Sequence, residues 1–417
     1  MLFVAVALSY TDRFILNVLL IPIRADLRFS DVGGSLLQGA AFALVYAVAC
    51  IPMGALADRV NRRNLIGAGA VIWCVGTGAC GLAHNFPEFF AARIAVGLGE
   101  ASLFPAAVSM LADDFPPMRR GFALGILFIG TSVGGGASVA LGGRLLAVFA
   151  AHPWMGVAPW RATLLCLALG GLLVPVLLLT LVREPTRSDE GAATREAARW
   201  RAAVEFFRGN RRILVCGLTA TAAVVLTDYG VAAWTPTFAV RHFALALPAI
   251  SEPLGLIILV AGGFGTFAGA AATDWVAARF GEPARLRAAA VAIVVTLPTL
   301  CFLLVNSPQV SLLLFAPYVF LIAFAGMAGT VGVQALAPPR LRGSLIGVQA
   351  FMQVSIGLSL GPTLIALTTD RVLGDPARVG IAMFIVALGA LLVALLLLAC
   401  VGVNRRGVSI GHDAVRS

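Results

Sequence analysis

The chain has 417 residues, of which 60% are hydrophobic and only 12% are charged. Its mean hydropathy is +0.96, so the chain is far more apolar than a soluble globular domain. Twelve helices of about 21 apolar residues would account for roughly 60% of the chain, and a helix needs about 20 such residues to cross the hydrocarbon core of a bilayer. We therefore expect an all-α membrane protein with twelve transmembrane helices.

The formal net charge of +10 comes entirely from arginine, because the 30 basic residues include no lysine. A chain without lysine has neither a Walker A phosphate loop nor a pyridoxal or retinal Schiff base, which argues against direct ATP-driven pumping. The arginines lie in short loops between apolar runs, which indicates membrane topology and argues against nucleic-acid binding. The histidines lack metal-ligand spacing. We expect no cofactor and no metal, and the residues form no catalytic constellation.

Apolar runs bounded by charged residues define the predicted spans. These are residues 1–25, 33–57, 64–83, 87–112, 120–150, 161–182, 213–242, 251–273, 285–305, 308–336, 343–368 and 378–403. The longest polar stretch divides them six and six, which predicts an N-terminal six-helix bundle over 1–182, a cytoplasmic linker over 183–212, a C-terminal bundle over 213–403 and a tail over 404–417. Trp200, Val204 and Phe207 fall on one helical face of the linker, so it forms either an interfacial helix or a solvated loop.

The distribution of arginine predicts which way the chain crosses the membrane. Assigning the loops alternately to the two sides places 21 arginines on the side of the termini and seven on the other, and two more, Arg13 and Arg93, lie inside spans. Loops rich in arginine stay on the cytoplasmic side. Both termini are therefore expected in the cytoplasm.

Three correspondences at a nearly constant offset indicate that the two halves are a duplication. The segments 116–126 and 338–348 share Pro-Pro, an Arg-Gly pair and a further Gly at an offset of 222. Asp58 and Asp274 are 216 residues apart, as are the Thr-Asp pairs ending at Asp12 and Asp228. Two pseudo-symmetric six-helix bundles follow from this repeat.

Pairs of glycine spaced four residues apart recur along the spans. The pairs are Gly121/Gly125, Gly130/Gly134, Gly265/Gly269, Gly343/Gly347 and Gly357/Gly361. Such pairs permit close contact between helices. They are expected to form either a smooth seam between the bundles or ordinary static packing.

Four ionisable residues fall inside predicted spans. Asp12 and Arg13 lie in the first span, and Arg93 and Glu100 lie in the fourth. A charge near the bilayer centre is costly unless it is paired or wetted, so we expect these residues to form one charged cluster. Asp12 or Glu100 is the expected proton-binding site, because a carboxylate in a cavity loads and unloads a proton as its surroundings change. Arg13 and Arg93 are the expected counter-charges or ligands of an anionic group; the alternative is a static salt-bridge network.

The junction between the second and third spans carries a further set of charges. Gly54, Asp58, Arg59, Arg62 and Arg63 lie in this junction. The arginines can pair with Asp113 or Asp114, and Arg120 lies on the same side, which predicts a latch that closes the cytoplasmic side. Simple topological anchoring by positive charge is the alternative.

The seventh span contains a polar and aromatic patch formed by Asp228, Tyr229 and Trp234, followed by Pro236. We expect a helix break at the proline and a cavity wall that contacts substrate, because broken spans line binding sites in transporters. The alternative is that Tyr229 and Trp234 belong to the aromatic belt at the membrane interface.

The junction sequence resembles the signature loop of the major facilitator superfamily. The matching residues are Gly54-x-Leu56-Ala57-Asp58-Arg59-x-x-Arg62-Arg63, with a departure at Asn61, where glycine is common. More narrowly, the motifs Tyr10-Thr11-Asp12-Arg13, Arg93-x-x-x-Gly97-x-Gly99-Glu100-Ala101 and Phe115-Pro116-Pro117-x-x-Arg120-Gly121 resemble the spinster-type branch.

The resemblance implies a fold and a function. It implies the major facilitator fold, alternating access, and a proton-linked carrier of lysophospholipids or sphingolipids, with the family's charged residues mapping onto Asp12, Arg13, Arg93 and Glu100. A small organic anion is the alternative substrate, and a membrane enzyme or a non-transporting sensor is a more distant one. We expect a monomer, multi-pass in the cell inner membrane, whose partners are the lipid bilayer, a small amphiphilic substrate and protons.

Overall fold

A computed structural model describes residues 1–154, 156–185, 204–282, 284–338 and 341–404. Within these ranges the secondary structure is helical and no strand is present. In this described part of the chain, twelve helices are long and apolar enough to span a membrane. Numbered α1 to α12 in chain order, they are Leu2–Leu27, Asp31–Ala57, Arg62–Leu82, Phe86–Asp114, Phe122–Ala151, Pro159–Leu181, Arg211–Phe243, Leu247–Phe280, Ala284–Leu303, Pro308–Gln334, Leu345–Leu373 and Pro376–Val401. The predicted all-α fold with twelve spans is confirmed.

Short polar residues begin several of the spans. The side-chain oxygen of Asn61 accepts a hydrogen bond from the Asn64 amide at the start of α3, and Asn85 does the same for the Glu88 amide at the start of α4. These caps satisfy amide groups that lack a partner in the first helical turn. Because each cap follows directly after a span, the connections are short and successive helices run antiparallel.

The six spans of each half enclose a core of their own. Phe42 and Trp73 are buried in the core of the first bundle, which consists of α1 to α6. Trp234, Phe238 and Tyr318 are buried in the core of the second bundle, α7 to α12. The outer faces of both bundles are apolar and exposed, as expected of surfaces that contact lipid.

The two bundles meet along two pairs of helices. Helix α2 packs against α11, and α5 packs against α8, while α1 also contacts α7. An added Cβ at Gly39 in α2 would lie 2.5 Å from the Leu358 carbonyl oxygen in α11, and one at Gly255 in α8 would lie 2.6 Å from the Gly136 oxygen in α5. Only glycine permits backbones to approach this closely. Glycines therefore form the seam between the bundles.

The glycine pairs recognised in the sequence have a different place. Added Cβ atoms at Gly134, Gly265 and Gly361 would meet backbone of Ala7, Phe320 and Leu226, which lie in the same bundle as each glycine. These three glycines bring helices together inside a bundle, which agrees with the static-packing alternative and not with the seam. Added Cβ atoms at Gly125 and Gly347 would meet nothing within 4 Å. Spacing alone does not tell which neighbour a helix face meets.

The linker is only partly described. Residues 204–209 are helical and precede α7. Val204 is exposed, and Phe207 packs against the core of the second bundle. Trp200 lies outside the described residues, so the interfacial helix stays a prediction.

Candidate functional site

Arg13 and Glu100 form an ion pair inside the first bundle. The Nη2 and Nε atoms of Arg13 lie 2.6 Å and 3.1 Å from Oε2 of Glu100, and Ser9 Oγ donates to the same oxygen at 2.8 Å. Both side chains are buried. Helix α1 supplies Ser9 and Arg13, and α4 supplies Glu100. The structure therefore brings together two of the four charges that the sequence predicts to cluster.

Three aromatic rings surround the Arg13 guanidinium. Its carbon lies 4.4 Å from the ring centre of Tyr10, 4.6 Å from that of Phe42 and 4.8 Å from that of Tyr46. The faces of aromatic rings attract cations. The rings cover the guanidinium, and among the described residues Glu100 is the anion that pairs with Arg13. An ion pair shielded in this way interacts strongly.

The other two charges lie nearby with different partners. Asp12 accepts a hydrogen bond of 2.5 Å from Thr77 Oγ1 in α3, and it is within electrostatic reach of Glu100 and Arg93. Arg93 donates from Nε to the Leu37 carbonyl oxygen at 3.2 Å. Among the described residues, Nη2 of Arg93 and Oε1 of Glu100 are buried without a hydrogen-bond partner. The four charges share one region but form a single ion pair.

A cavity of about 20 Å³ lies beside Asp12 within the first bundle. Thr77 of α3 and Ala168 of α6 contribute to its wall together with Asp12. A space of this size holds about one water molecule. Asp12 therefore borders a small, mostly apolar space between helices of one bundle, and the Arg13–Glu100 pair does not line that space.

The structure divides the predicted patch of the seventh span. Tyr229 stacks on Phe14 of α1 across the bundle interface, with ring centres 5.6 Å apart. Asp228 is half-buried in the middle of α7. Trp234 is fully buried and donates from Nε1 to the Pro362 carbonyl oxygen at 3.0 Å. The expected cavity wall therefore does not include Trp234, whose indole packs inside the second bundle.

The helix break expected at Pro236 is absent, because α7 continues through the proline to Phe243. Proline has no N–H, so the carbonyl of Ala232, four residues earlier, lacks its usual helical partner. Asn17 of α1 donates to this oxygen at 3.5 Å, and Gln38 of α2 donates to the next carbonyl, that of Ala233, at 3.1 Å. Polar side chains of the first bundle thus bind the backbone of α7 beside its proline.

A set of ion pairs closes one end of the molecule, the far face, where α1 ends at Leu27 and α7 ends at Phe243. Arg241 of α7 donates to Asp31 of α2 at 2.6 Å and 2.8 Å, and Arg24 of α1 also pairs with Asp31. The Val32 amide donates to Asp370 of α11 at 3.3 Å. These residues were not recognised in the sequence as a site. The signal that could have found them is the recurrence of charges at the ends of α1, α2, α7 and α11.

The opposite end, the terminal face, carries the predicted latch residues. Arg62 pairs with Asp113 at 2.5 Å and with Glu184 at 2.7 Å, and the Arg63 amide donates to Glu184 at 2.9 Å. The sequence suggested Asp113 as a partner and did not suggest Glu184. All of these contacts lie within the first bundle and its exit into the linker.

The remaining latch residues lie around this network. Arg120 donates to the nearby Phe115 carbonyl oxygen at 3.1 Å. The side chains of Asp58, Arg59 and Asp114 are exposed, and a Cβ added at Gly54 would find its nearest neighbour at 3.9 Å, so Gly54 does not mark a close contact. Hydrogen bonds that join the two bundles at Asn17, Val32, Ser35, Gln38 and Arg241 lie toward the far face.

Comparisons with known proteins place this arrangement in a family. The family model of the Major Facilitator Superfamily matches residues 2–362. The protein named spinster homolog 3 of Danio rerio is 30% identical over 63% of this chain and 54% of its own length. The hexuronate transporter of Bacillus subtilis (strain 168) is 24% identical over 89% of this chain and 87% of its own length.

A solved structure has the same fold. It is the crystal structure of a bacterial homologue of the human lysosomal transporter spinster, in an inward-facing and unoccupied conformation, and it matches with a TM-score of 0.82 at 23% identity over 97% of this chain and 95% of that chain. The two-bundle architecture predicted from the duplication is confirmed. The chain, a multi-pass membrane transporter and not an enzyme, belongs to the Major Facilitator Superfamily.

Proposed function

We propose that this transporter is proton-coupled and works by alternating access, with Asp12 and Glu100 as the coupling carboxylates. The observation that carries the proposal is the Arg13–Glu100 ion pair, buried at 2.6 Å with Asp12 close by. Protonation of Glu100 removes the anion that contacts Arg13 among the described residues, so the guanidinium is free to bind an anionic group of a substrate. Binding of a proton and binding of a substrate are thereby linked.

The orientation of the protein follows from its arginines. We infer that the terminal face lies in the cytoplasm, since the arginine-rich loops are on that side, and that the protein resides in the inner membrane as a monomer. Because the bundles are joined by hydrogen bonds near the far face, the described conformation is then the one closed toward the outside. With this orientation, the ion pairs of Arg62 with Asp113 and Glu184 belong to the cytoplasmic gate. The other proposed gate residues are Gly54, Asp58, Arg59, Arg63, Asp114 and Arg120.

The proposed substrate is an amphiphilic lysophospholipid- or sphingolipid-like molecule, which the resemblance to the spinster-type branch implies and which agrees with a relative named as a sphingosine-1-phosphate transporter in Xenopus tropicalis. Rings of Phe104, Tyr10, Phe14 and Tyr229 form a continuous row from the first bundle to the second, beside the Arg13–Glu100 pair. Such a row offers apolar surface to an acyl chain next to charges that bind a headgroup.

A small organic anion is the second candidate substrate. The unpartnered Nη2 of Arg93 favours it, as does the similarity to a hexuronate transporter. The same arginines can bind the charged group of either molecule. The two candidates differ in that only the lysolipid has an acyl chain that needs the apolar surface of the aromatic row.

Flux into proteoliposomes tests the function. Labelled lysophosphatidylcholine, lysophosphatidylglycerol and glucuronate are offered with and without an imposed proton gradient. We expect gradient-dependent uptake of a lysolipid, lost in Asp12→Asn or Glu100→Gln and kept in Asp375→Asn, a control at an exposed ion pair. Gradient-driven uptake that persists in both Asp12→Asn and Glu100→Gln would overturn the coupling site. Uptake of glucuronate alone would replace the lipid by the second candidate.

A further inference from the structure

Asp228 is an acidic residue that the proposed coupling mechanism does not use. It lies near the middle of α7, whereas the other acidic residues in spans of the second bundle, Glu252, Asp274 and Asp370, lie within about two turns of a helix end. Within the described residues its carboxylate forms no hydrogen bond and no ion pair, and its side chain is half-buried. A carboxylate kept unpaired at this depth is costly, which marks it as a functional group.

A second polar group near Asp228 also lacks a partner. The hydroxyl of Tyr318 in α10 is buried without a hydrogen bond to any described residue, and Tyr318 is within electrostatic reach of Asp228. A buried hydroxyl normally has a partner. The two groups belong to α7 and α10, which pack against each other in the second bundle. Together they offer two polar contacts to a hydrogen-bonding ligand.

Aromatic rings connect this region to the charges of the first bundle. Tyr229, the neighbour of Asp228, stacks on Phe14, and Phe14 lies 5.8 Å from Tyr10, whose ring is 4.4 Å from the Arg13 guanidinium. The path from Arg13 to Asp228 is thus bordered by rings whose faces attract cations. Cations are available at one end of the path, and an unpaired anion is available at the other.

The unpaired anion determines which headgroups fit. An ammonium group gains a charge-assisted contact with Asp228 and contacts with the aromatic faces. A substrate carrying only negative charge meets a desolvated carboxylate of the same sign. We propose that Asp228 binds the cationic amine of a zwitterionic lysolipid headgroup, with the Tyr318 hydroxyl as a neighbouring polar contact, so that Asp228 selects amine-bearing lipids over lipids without an amine. This proposal rests on the proposed lysolipid transport.

The test compares two lipids that differ in the amine. Uptake of labelled lysophosphatidylethanolamine and of labelled lysophosphatidylglycerol, which has no amine, is measured at low concentration in the same proteoliposomes for the wild type, Asp228→Asn and Asp228→Glu. We expect Asp228→Asn to lower kcat/KM for the ethanolamine lipid about tenfold, as the loss of one charged contact of about 1.4 kcal/mol predicts. Uptake of the glycerol lipid should be unchanged or faster, and Asp228→Glu should retain a preference for the ethanolamine lipid.

The unchanged glycerol lipid serves as the folding control. Equal loss of both lipids in Asp228→Asn would overturn the proposal, because it would indicate a proton-coupling or structural role. Equal retention of both would overturn it too, since Asp228 would then not contact the headgroup. If the wild type transports neither lipid, the proposal of lysolipid transport is wrong, and the proposed amine site is wrong with it. This outcome can be told apart from a failure of the Asp228 proposal alone, because it is seen without any substitution.

Discussion

Gly39 in α2 and Gly255 in α8 occupy equivalent positions in the seam between the bundles. They are 216 residues apart, which is the offset that relates Asp12 to Asp228, and the carbonyls they approach, those of Leu358 and Gly136, are 222 residues apart. Each contact is therefore the repeat of the other. The duplication read from the sequence extends to single backbone contacts, and it places a close glycine contact on both sides of the seam.

Gly39→Ala is expected to weaken closure of the far face. The added methyl group would lie 2.5 Å from a backbone oxygen, so α2 and α11 must separate. The distance between spin labels at His84 and Asn306, two exposed residues in far-face connections of the first and second bundles, reports this separation in a variant without native cysteines. We expect a longer distance, and a similar change in Gly255→Ala. Gly170→Ala, where an added Cβ meets nothing within 4 Å, should leave the spin-label distance unchanged. A change of equal size in Gly170→Ala would contradict the role of Gly39 and Gly255 in the contact between the bundles.

Arg241→Gln is expected to increase the population of the conformation open at the far face. Asp31 is buried and accepts from Arg24 and from Arg241, so removal of one arginine leaves part of its charge uncompensated. Breaking a buried ion pair costs about 3 kcal/mol, which corresponds to more than a tenfold shift in population. The same spin-label pair measures it. Arg378→Gln is the control. It removes an exposed ion pair with Asp375, three residues earlier in the chain, and should leave the spin-label distance unchanged.

Gln38→Met tests the contact between the first bundle and the backbone of α7. The substitution keeps the length of the side chain and removes the donor to the Ala233 carbonyl and to Asn17. Loss of these bonds should destabilise the closed far face by about 1–2 kcal/mol. In the double variant with Asn17→Leu, the two effects should be less than additive, because the residues share one network. Full additivity in the spin-label populations would show that Asn17 and Gln38 act independently.

The sequence predicted the spans well because apolar length determines where a helix crosses a bilayer, and it predicted that Arg13 and Glu100 approach each other because buried charges need partners. It did not predict which carbonyls Asn17 and Gln38 would bind. That contact depends on Pro236 leaving a carbonyl free in a helix more than 190 residues away, and on the angle between the bundles. Local patterns carry no information about either.

Glu184 was missed for a related reason. It follows α6 in what reads as a polar linker, and only the fold brings it beside Arg62, 122 residues earlier. Trp234 shows the converse error. An aromatic residue near a proline is typical of a cavity wall, yet its indole reaches the Pro362 carbonyl in α11, and the packing of α7 on α11 decides its burial.

The Arg62–Glu184 contact should stabilise the protein in a pH-dependent way. Burial acts to raise the pKa of Glu184, but hydrogen bonds from the Arg63 amide and the Arg62 guanidinium outweigh it and hold that pKa below its ordinary value. A carboxylate whose pKa is lowered by folding contributes stability that is fully present above its unfolded pKa and is lost as the pH falls through the folded value. The contribution is therefore complete at pH 7 and disappears in acid.

Thermal unfolding of the purified protein in detergent tests this between pH 7 and pH 3. Glu184→Gln should unfold at a lower temperature than the wild type at pH 7, and the difference should shrink toward zero as the pH falls below the ordinary glutamate pKa. Glu282→Gln is the matched control, because Glu282 forms an exposed pair with Arg285 that contributes little at any pH. A difference for Glu184→Gln that stays constant across the whole pH range would contradict the prediction, since it would arise from lost packing and not from the charge that binds Arg62.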